Sequence, residues 1–292
     1  MTQTRLYLTA RKPEAMHIGT ILDPLFEEDG IPTVLFEDDA IPGNWVWSVY
    51  VDTDEAPQTR AAILDRLGGD GFSLEIGEET LGDIDWVAET LRELKPVEAG
   101  RFFIHGSHDR ARAARHRLPV EIDAGLAFGT GHHGTTAGCL DMLEWVLRRT
   151  KPKKAYDVGT GSGVLAIALA KATHIDVLAT DIDPVATGVA AENARKNGVP
   201  GHIKAVTATG FEHPAFNAFG KADLVLANIL AKPLEGLAFP MRQHLERGAY
   251  VILSGLLPHQ QSRIVSAYRR QGLILRKAYI RDGWLSLILQ RP

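Results

Sequence analysis

Asp157-Val158-Gly159-Thr160-Gly161-Ser162-Gly163 closes a short apolar run, Ala155–Val158, and opens a helical one, Val164–Lys171. Glycines at such a junction let the backbone pass close to a ligand and take up positive φ. A dinucleotide-binding turn would read G-x-G-x-x-G, but Val164 holds the place of its last glycine. The pattern is D-x-G-x-G-x-G instead, with an acid ahead of the glycines. A carboxylate there suits a ligand carrying an ammonium group and would repel a pyrophosphate.

Outward from this stretch the chain alternates between strand and helix. Ile175–Thr180, Ile203–Thr207, Leu224–Ala227 and Tyr250–Ser254 read as strands, and Pro184–Asn197 and Ser262–Gln271 as helices. Leu273–Tyr279 and Trp284–Leu289 read as two strands joined near Asp282-Gly283. This order implies a doubly wound, mainly parallel sheet with an antiparallel terminal edge. Asp181 stands at the end of the second strand, where a carboxylate can accept hydrogen bonds from both ribose hydroxyls. Asp183, just ahead of Pro184, reads as the N-cap of the next helix. Asn228 follows the apolar run Leu224–Ala227 and sits where open α/β sheets hold ligands; its alternative role is a helix cap.

The front of the chain has a different rhythm. Arg5–Thr9, Thr33–Phe36, Trp45–Asp52 and Phe72–Ile76 read as strands, and Pro13–Glu28 and Pro57–Leu67 as helices. Pro24 is a candidate break in the first helix. The order β-α-β-β-α-β matches a ferredoxin-like sandwich. Asp83–Leu94 then has helical spacing and stops at Lys95-Pro96, as a connector would. The expected organisation is an α+β domain over 1–80, a helical linker over 81–98 and an α/β domain over 99–292. Arg101–His105 reads as a strand, and the basic stretch His108–Arg117 as solvated surface.

With 292 residues, 45% hydrophobic and 23% charged, the chain has enough apolar material for about two domains. No apolar run approaches the ~18 residues that a membrane span needs. The N-terminal residues lack a signal-peptide pattern, so a cytoplasmic protein is expected. Cys139 is the only cysteine, which excludes an intramolecular disulfide and a cysteine-rich zinc site. It reads as a buried small side chain. His132-His133 are adjacent and have no acid at ligand spacing, so no metal is expected. The net charge of −4 hides a division: residues 1–96 carry −13 and residues 97–292 carry +9. An acidic front favours a basic partner and would repel nucleic acid.

The glycine motif, in its strand–loop–helix setting and with Asp181 downstream, resembles motif I of class I S-adenosylmethionine-dependent methyltransferases. Amino methyltransferases often carry Asn-Pro-Pro-Tyr after the fourth strand; here Ile229-Leu230 replaces the prolines. That Asn-Ile-Leu, with Leu126-Ala127-Phe128-Gly129-Thr130-Gly131-His132-His133-Gly134-Thr135-Thr136, resembles the ribosomal protein L11 methyltransferase family. The connector residues Asp85-Trp86 and Leu94-Lys95-Pro96-Val97 and the acidic front domain extend the resemblance over nearly the whole chain. The chain departs from the family's usual Thr-His-Pro-Thr-Thr at His132–Thr136 and from its Asp-Pro-Gly at Asp123–Gly125.

The resemblance implies S-adenosylmethionine as cofactor, with Thr136, Gly159, Asp181 and Asn228 in contact with it. It adds Phe128, Thr130, Gly131, Asp157, Gly161 and Ile182 to the cofactor site and makes Asn228 the catalytic residue. The implied substrate is ribosomal protein L11, methylated repeatedly on lysine side chains and its N-terminal α-amine. The enzyme would be a monomer with no nucleic-acid or membrane partner. A lysine methyltransferase of the electron-transfer flavoprotein β-subunit and a non-catalytic, S-adenosylmethionine-binding ribosome-assembly module are the alternatives. An NAD-dependent oxidoreductase is disfavoured by Val164 and by the antiparallel end of the sheet.

Overall fold

The computed structural model describes residues 3–27, 31, 33–38, 41, 43–68, 75–81, 96–122 and 134–292. The chain divides into two compact units, Met1–Trp86 and Val87–Pro292. The helix expected over Asp83–Leu94, and with it most of the linker, lies outside the described residues.

In the first unit the elements follow the order β1 (Gln3–Arg11), α1 (Lys12–Glu27), β2 (Thr33–Glu37), β3 (Asn44–Asp52), α2 (Ala56–Gly68) and β4 (Gly77–Leu81). They form one sheet in the order β2-β3-β1-β4, with every pair antiparallel. β3 lies between β1 and β2, and β1 between β3 and β4, so both β-α-β units are split. Strand alternation turns Leu6, Leu8 and Ala10 of β1 towards a core shared with Ile18 and Leu22 of α1, Trp47 of β3 and Ile63 of α2. Trp47 donates its indole N–H to Asp23 Oδ1 at 2.8 Å.

Two expectations shift here. α1 runs through Pro24 to Glu27, because a proline in the last turn removes only a terminal hydrogen bond. The last strand falls at Gly77–Leu81, one segment beyond the apolar run Phe72–Ile76, of which residues 72–74 lie outside the described residues. Ile76 is buried immediately ahead of that strand, so the apolar signal marked its approach and not its span.

The second unit opens with β5 (Val97–Ala99), β6 (Phe102–His105), the short helix α3 (Arg110–Ala113) and β7 (Leu118–Glu121); the strands form a small sheet, β5-β6-β7. The basic stretch is partly committed to structure. Arg110 pairs with Glu121 at 2.7 Å, and the His116 ring stacks on Phe103 with centroids 3.7 Å apart.

There follow α4 (Gly134–Leu147), β8 (Lys154–Val158), α5 (Val164–Thr173), β9 (Asp176–Asp181), α6 (Pro184–Lys196), β10 (Ile203–Thr207) and α7 (Pro214–Phe219). β11 (Ala222–Asn228), α8 (Ala231–Gln243), β12 (Leu245–Leu256), α9 (Gln261–Arg270), β13 (Ile274–Arg281) and β14 (Trp284–Gln290) complete the unit. The large sheet has the order β10-β9-β8-β11-β12-β14-β13. Its first five strands are parallel, and β14 runs antiparallel to both β12 and β13.

Both faces of this sheet are covered. Leu224 and Leu226 of β11 enter a core with α4 and α5, while Val225 and Ala227 enter the opposite core with α8 and α9. Two-sided burial explains why these strands read as continuous apolar runs. α8 escapes the sequence pattern because Pro233, Gly236 and Pro240 interrupt it, although Leu234, Ala238 and Met241 are its buried stripe. Among the described residues no helix is long and apolar enough to cross a membrane.

Leu226 is fully buried on the central strand. Leu226→Ala is expected to lower the unfolding free energy of this unit by about 2–5 kcal/mol. Chemical denaturation followed by circular dichroism checks this, with the midpoint falling and the m-value unchanged.

Candidate functional site

From β8 the chain winds outward through β9 to β10, then returns to place β11 on the other side of β8. The crevice at the carboxyl ends of β8 and β11 is therefore the topological switch point, where open α/β sheets bind ligands. Asp157, Asp181 and Asn228 all stand at or next to the carboxyl ends of β8, β9 and β11.

The glycine loop is held from the β9 side. The Gly159 and Thr160 amides donate to the Thr180 carbonyl at 2.8 and 2.9 Å. Asp181 Oδ2 accepts the Gly161 amide at 2.8 Å and Oδ1 accepts the Asp183 amide at 3.1 Å. Each oxygen of this half-buried carboxylate keeps a further lone pair, enough for two hydroxyl donors. Asp183 caps α6 as expected, accepting the Val185 amide at 2.8 Å. Ile182 beside it is 70% exposed, a bare apolar surface at the rim.

Asp157 is only 1% exposed. Its Oδ2 accepts the Thr160 hydroxyl at 2.6 Å and the Ala166 amide at 3.1 Å, whereas Oδ1 is buried with no hydrogen-bond partner among the described residues. Burial pushes this carboxyl up to about 6, against the lowering effect of its two donors. A buried carboxylate oxygen without a donor is costly, and an ammonium group would satisfy it. The donor set, two carboxylates around a glycine loop, fits a ligand with an ammonium and a ribose.

Asn228 is half-buried at the end of β11. Its amide nitrogen lies 3.4 Å from both the Thr135 and the Thr136 hydroxyl, in the first turn of α4. With both amide hydrogens turned to the threonines, the amide oxygen is left as the acceptor end. The structure thus brings together Asn228 and Thr136, and adds Thr135, which sequence reasoning missed. Thr135 is buried beside Thr136, and only their adjacency at the helix start could have signalled it.

Gly159 and Gly255 fix the floor. Both take positive φ, +72° and +79°. A Cβ on Gly159 would come within 2.2 Å of Ile229 Cγ2, and one on Gly255 within 2.5 Å of the Ile229 carbonyl oxygen. Phe128, Thr130, Gly131 and the pair His132-His133 lie outside the described residues. Among the described residues no group of three or more His, Cys, Asp or Glu side chains is arranged to hold a metal. Cys139 is buried, as expected, and burial raises its thiol far above the nucleophilic range.

A family model described as ribosomal protein L11 methyltransferase (PrmA) matches residues 25–292. A ribosomal protein L11 methyltransferase of Mesorhizobium japonicum is 50% identical over 99% of this chain and 100% of its own length. One from Brucella suis is 49% identical over the same shares. Among solved structures, a ribosomal protein L11 methylase of Lactobacillus delbrueckii subsp. bulgaricus aligns with a TM-score of 0.59 and 32% identity. That alignment covers 67% of this chain and 98% of the other.

The raised Asp157 has a measurable signature. Well below pH 4 the carboxyl is neutral in both folded and unfolded chains and costs nothing. As pH rises towards 6 the unfolded chain ionises first, so stability falls, by a total of about 3 kcal/mol once both forms are ionised. Asp157→Asn is expected to lack this fall, read as the difference in unfolding free energy between pH 4.5 and 7.5 in the two proteins.

Proposed function

Because the chain belongs to the ribosomal protein L11 methyltransferase family and is an S-adenosylmethionine-dependent methyltransferase, we propose that it methylates the lysine side chains and N-terminal α-amine of ribosomal protein L11. The observation that carries this reading is Asn228 at the switch point, whose amide nitrogen lies 3.4 Å from the Thr135 and Thr136 hydroxyls and leaves the oxygen free of them as an N–H acceptor. Bound S-adenosylmethionine supplies a sulfonium methyl already activated for transfer. What remains for the protein is orientation.

In this reading Asp157 would hold the cofactor's ammonium group and Asp181 its ribose hydroxyls. Gly159 and Gly161 would allow close approach of the loop, and Ile182, Thr136 and Asn228 would complete the described part of the site. Phe128, Thr130 and Gly131 complete the set on the strength of the family resemblance. A lysine amine with a reference pKa of about 10.4, or an α-amine near 7.7–8.0, must lose a proton before it can attack. Desolvation between Asn228, Ile229 and Leu230 favours the neutral amine. The Asn228 oxygen then accepts one N–H and points the lone pair along the line of transfer. The second proton leaves to water, so no dedicated base is required.

The acidic first unit supplies the complementary half of the proposal: a −13 surface suits a basic ribosomal protein. The enzyme then works as a cytoplasmic monomer without direct contact to nucleic acid or membrane.

Mass spectrometry of purified L11 incubated with the enzyme and S-adenosylmethionine tests the reading, since each transferred methyl adds about 14 Da to an oriented amine. Stepwise gains on L11, with none on electron-transfer flavoprotein run alongside, are the expected result; gains on the flavoprotein alone would replace L11 as the substrate. Asn228→Ala is expected to lower kcat about 10²-fold, with a much smaller change in affinity for S-adenosylhomocysteine by calorimetry. Replacing Glu27, Glu28 and Asp29 with lysine is expected to weaken L11 binding and leave cofactor affinity intact. Equal loss of both would show damage to the fold.

A further inference from the structure

Ser254 and Ser286 are fully buried hydroxyls on strands otherwise filled with leucine, valine and isoleucine. Ser254 lies on β12 directly beside Asn228 in the parallel register. Its hydroxyl donates to the Thr135 carbonyl at 3.0 Å and lies 2.9 Å from the Ser286 hydroxyl on β14. A serine has one hydrogen to give, so Ser286 donates to Ser254, and Ser254 to Thr135. The face of α4 meets these strands at very short range: a Cβ on Gly138 would stand 2.5 Å from Ser286 Oγ. Stability does not call for the two hydroxyls, because an alanine pair would leave no buried hydroxyl to desolvate. What they do is pin the first turn of α4, the turn whose Thr135 and Thr136 hydroxyls face the Asn228 amide.

We propose that Ser254, oriented by Ser286, is a positioning residue for methyl transfer: by holding Thr135 it sets the two hydroxyls that turn the Asn228 oxygen towards the acceptor amine. This rests on the reading of Asn228 given above. Ser254 touches neither substrate nor cofactor; it acts through Thr135.

The test is steady-state kinetics on L11 with Ser254→Ala, Ser286→Ala, the double alanine variant, and each combined with Asn228→Ala. Ser254→Ala is expected to lower kcat about tenfold and Ser286→Ala about threefold, with KM for L11 and for S-adenosylmethionine within about twofold. The double alanine variant is expected to match Ser254→Ala in kcat with a melting temperature at or above that of the parent. In the Asn228→Ala background the serine substitutions are expected to cost less than about twofold, because the group they position is gone. Undiminished kcat in the serine variants overturns the proposal. So do losses that multiply with that of Asn228→Ala, or losses that follow a falling melting temperature. If Asn228→Ala itself keeps full kcat, the reading of Asn228 fails and takes this link with it. A low kcat in Asn228→Ala beside a normal one in Ser254→Ala removes this link alone. Should Ser254→Ala fail to fold, Ser286→Ala carries the same cycle.

Discussion

Ile229 is held between two glycines, and the site depends on that contact. Gly159 closes on its side chain from the end of β8, and Gly255 on its backbone from the end of β12. The ends of three adjacent strands thus meet at one residue, and the residue before it is Asn228. Neither glycine could carry a Cβ without moving the loop, and both have φ values that other residues resist. Gly159 of the motif therefore has a task besides making room for a ligand. It lets the loop after β8 and the loop after β11 come into contact, which fixes where a group held by one stands relative to a group held by the other.

Asp157 shows what this arrangement costs. Its carboxylate is drawn into the sheet by the Thr160 hydroxyl and the Ala166 amide, where it caps the start of α5. The capping oxygen is satisfied and the other is not. A protein selected for stability alone would not bury half a carboxylate unpartnered. The cost is tolerable because the hydrophobic cores on both faces of the sheet outweigh one unsatisfied oxygen, and in the proposed reading it would give a cationic group a preformed partner. Asp181 contrasts with it: half-buried, with both oxygens bonded to backbone amides, it is a rigid acceptor and not a reactive one.

Much of this was legible in the sequence. The positions of Asp157, Asp181 and Asp183 relative to their strands followed from local grammar, a strand end, a glycine loop, a proline-started helix, and the structure has each where that grammar put it. α/β alternation likewise gave the parallel core and the antiparallel end formed by β13 and β14. The failures were of three kinds. Where helix-breaking residues sit inside an element, as Pro233, Gly236 and Pro240 do in α8, packing overrode propensity and the helix was overlooked. Where strands are three or four residues long, as β5 and β7 are, there is too little alternation to read, although the apolar run ending at His105 marked β6 between them. Thr135, Ser254, Ser286 and Gly255 were missed for a third reason. Their significance comes from pairing between segments that are distant along the chain, by as many as 119 residues for Ser254 and Thr135, and no local pattern encodes that.

Those distant pairings divide the labour within the site. The carboxylates sit on β8 and β9, Asp157 anchored by the Thr160 hydroxyl and the Ala166 amide of α5, and Asp181 by the Gly161 and Asp183 amides. The Asn228 amide sits on β11, 3.4 Å from two hydroxyls of α4, whose Thr135 carbonyl accepts the Ser254 hydroxyl of β12, itself paired with Ser286 of β14. The two halves adjoin along the β8–β11 ladder and again where Gly159 closes on Ile229. The described hydrogen bonds thus form two systems, one around the two carboxylates and one around Asn228. In the proposed reading, repeated methylation would draw on such an arrangement. As an amine gains methyl groups it loses N–H donors and gains bulk, so its contact with Asn228 would change at every round. The carboxylates, held by their own hydrogen bonds, would have no need to change with it.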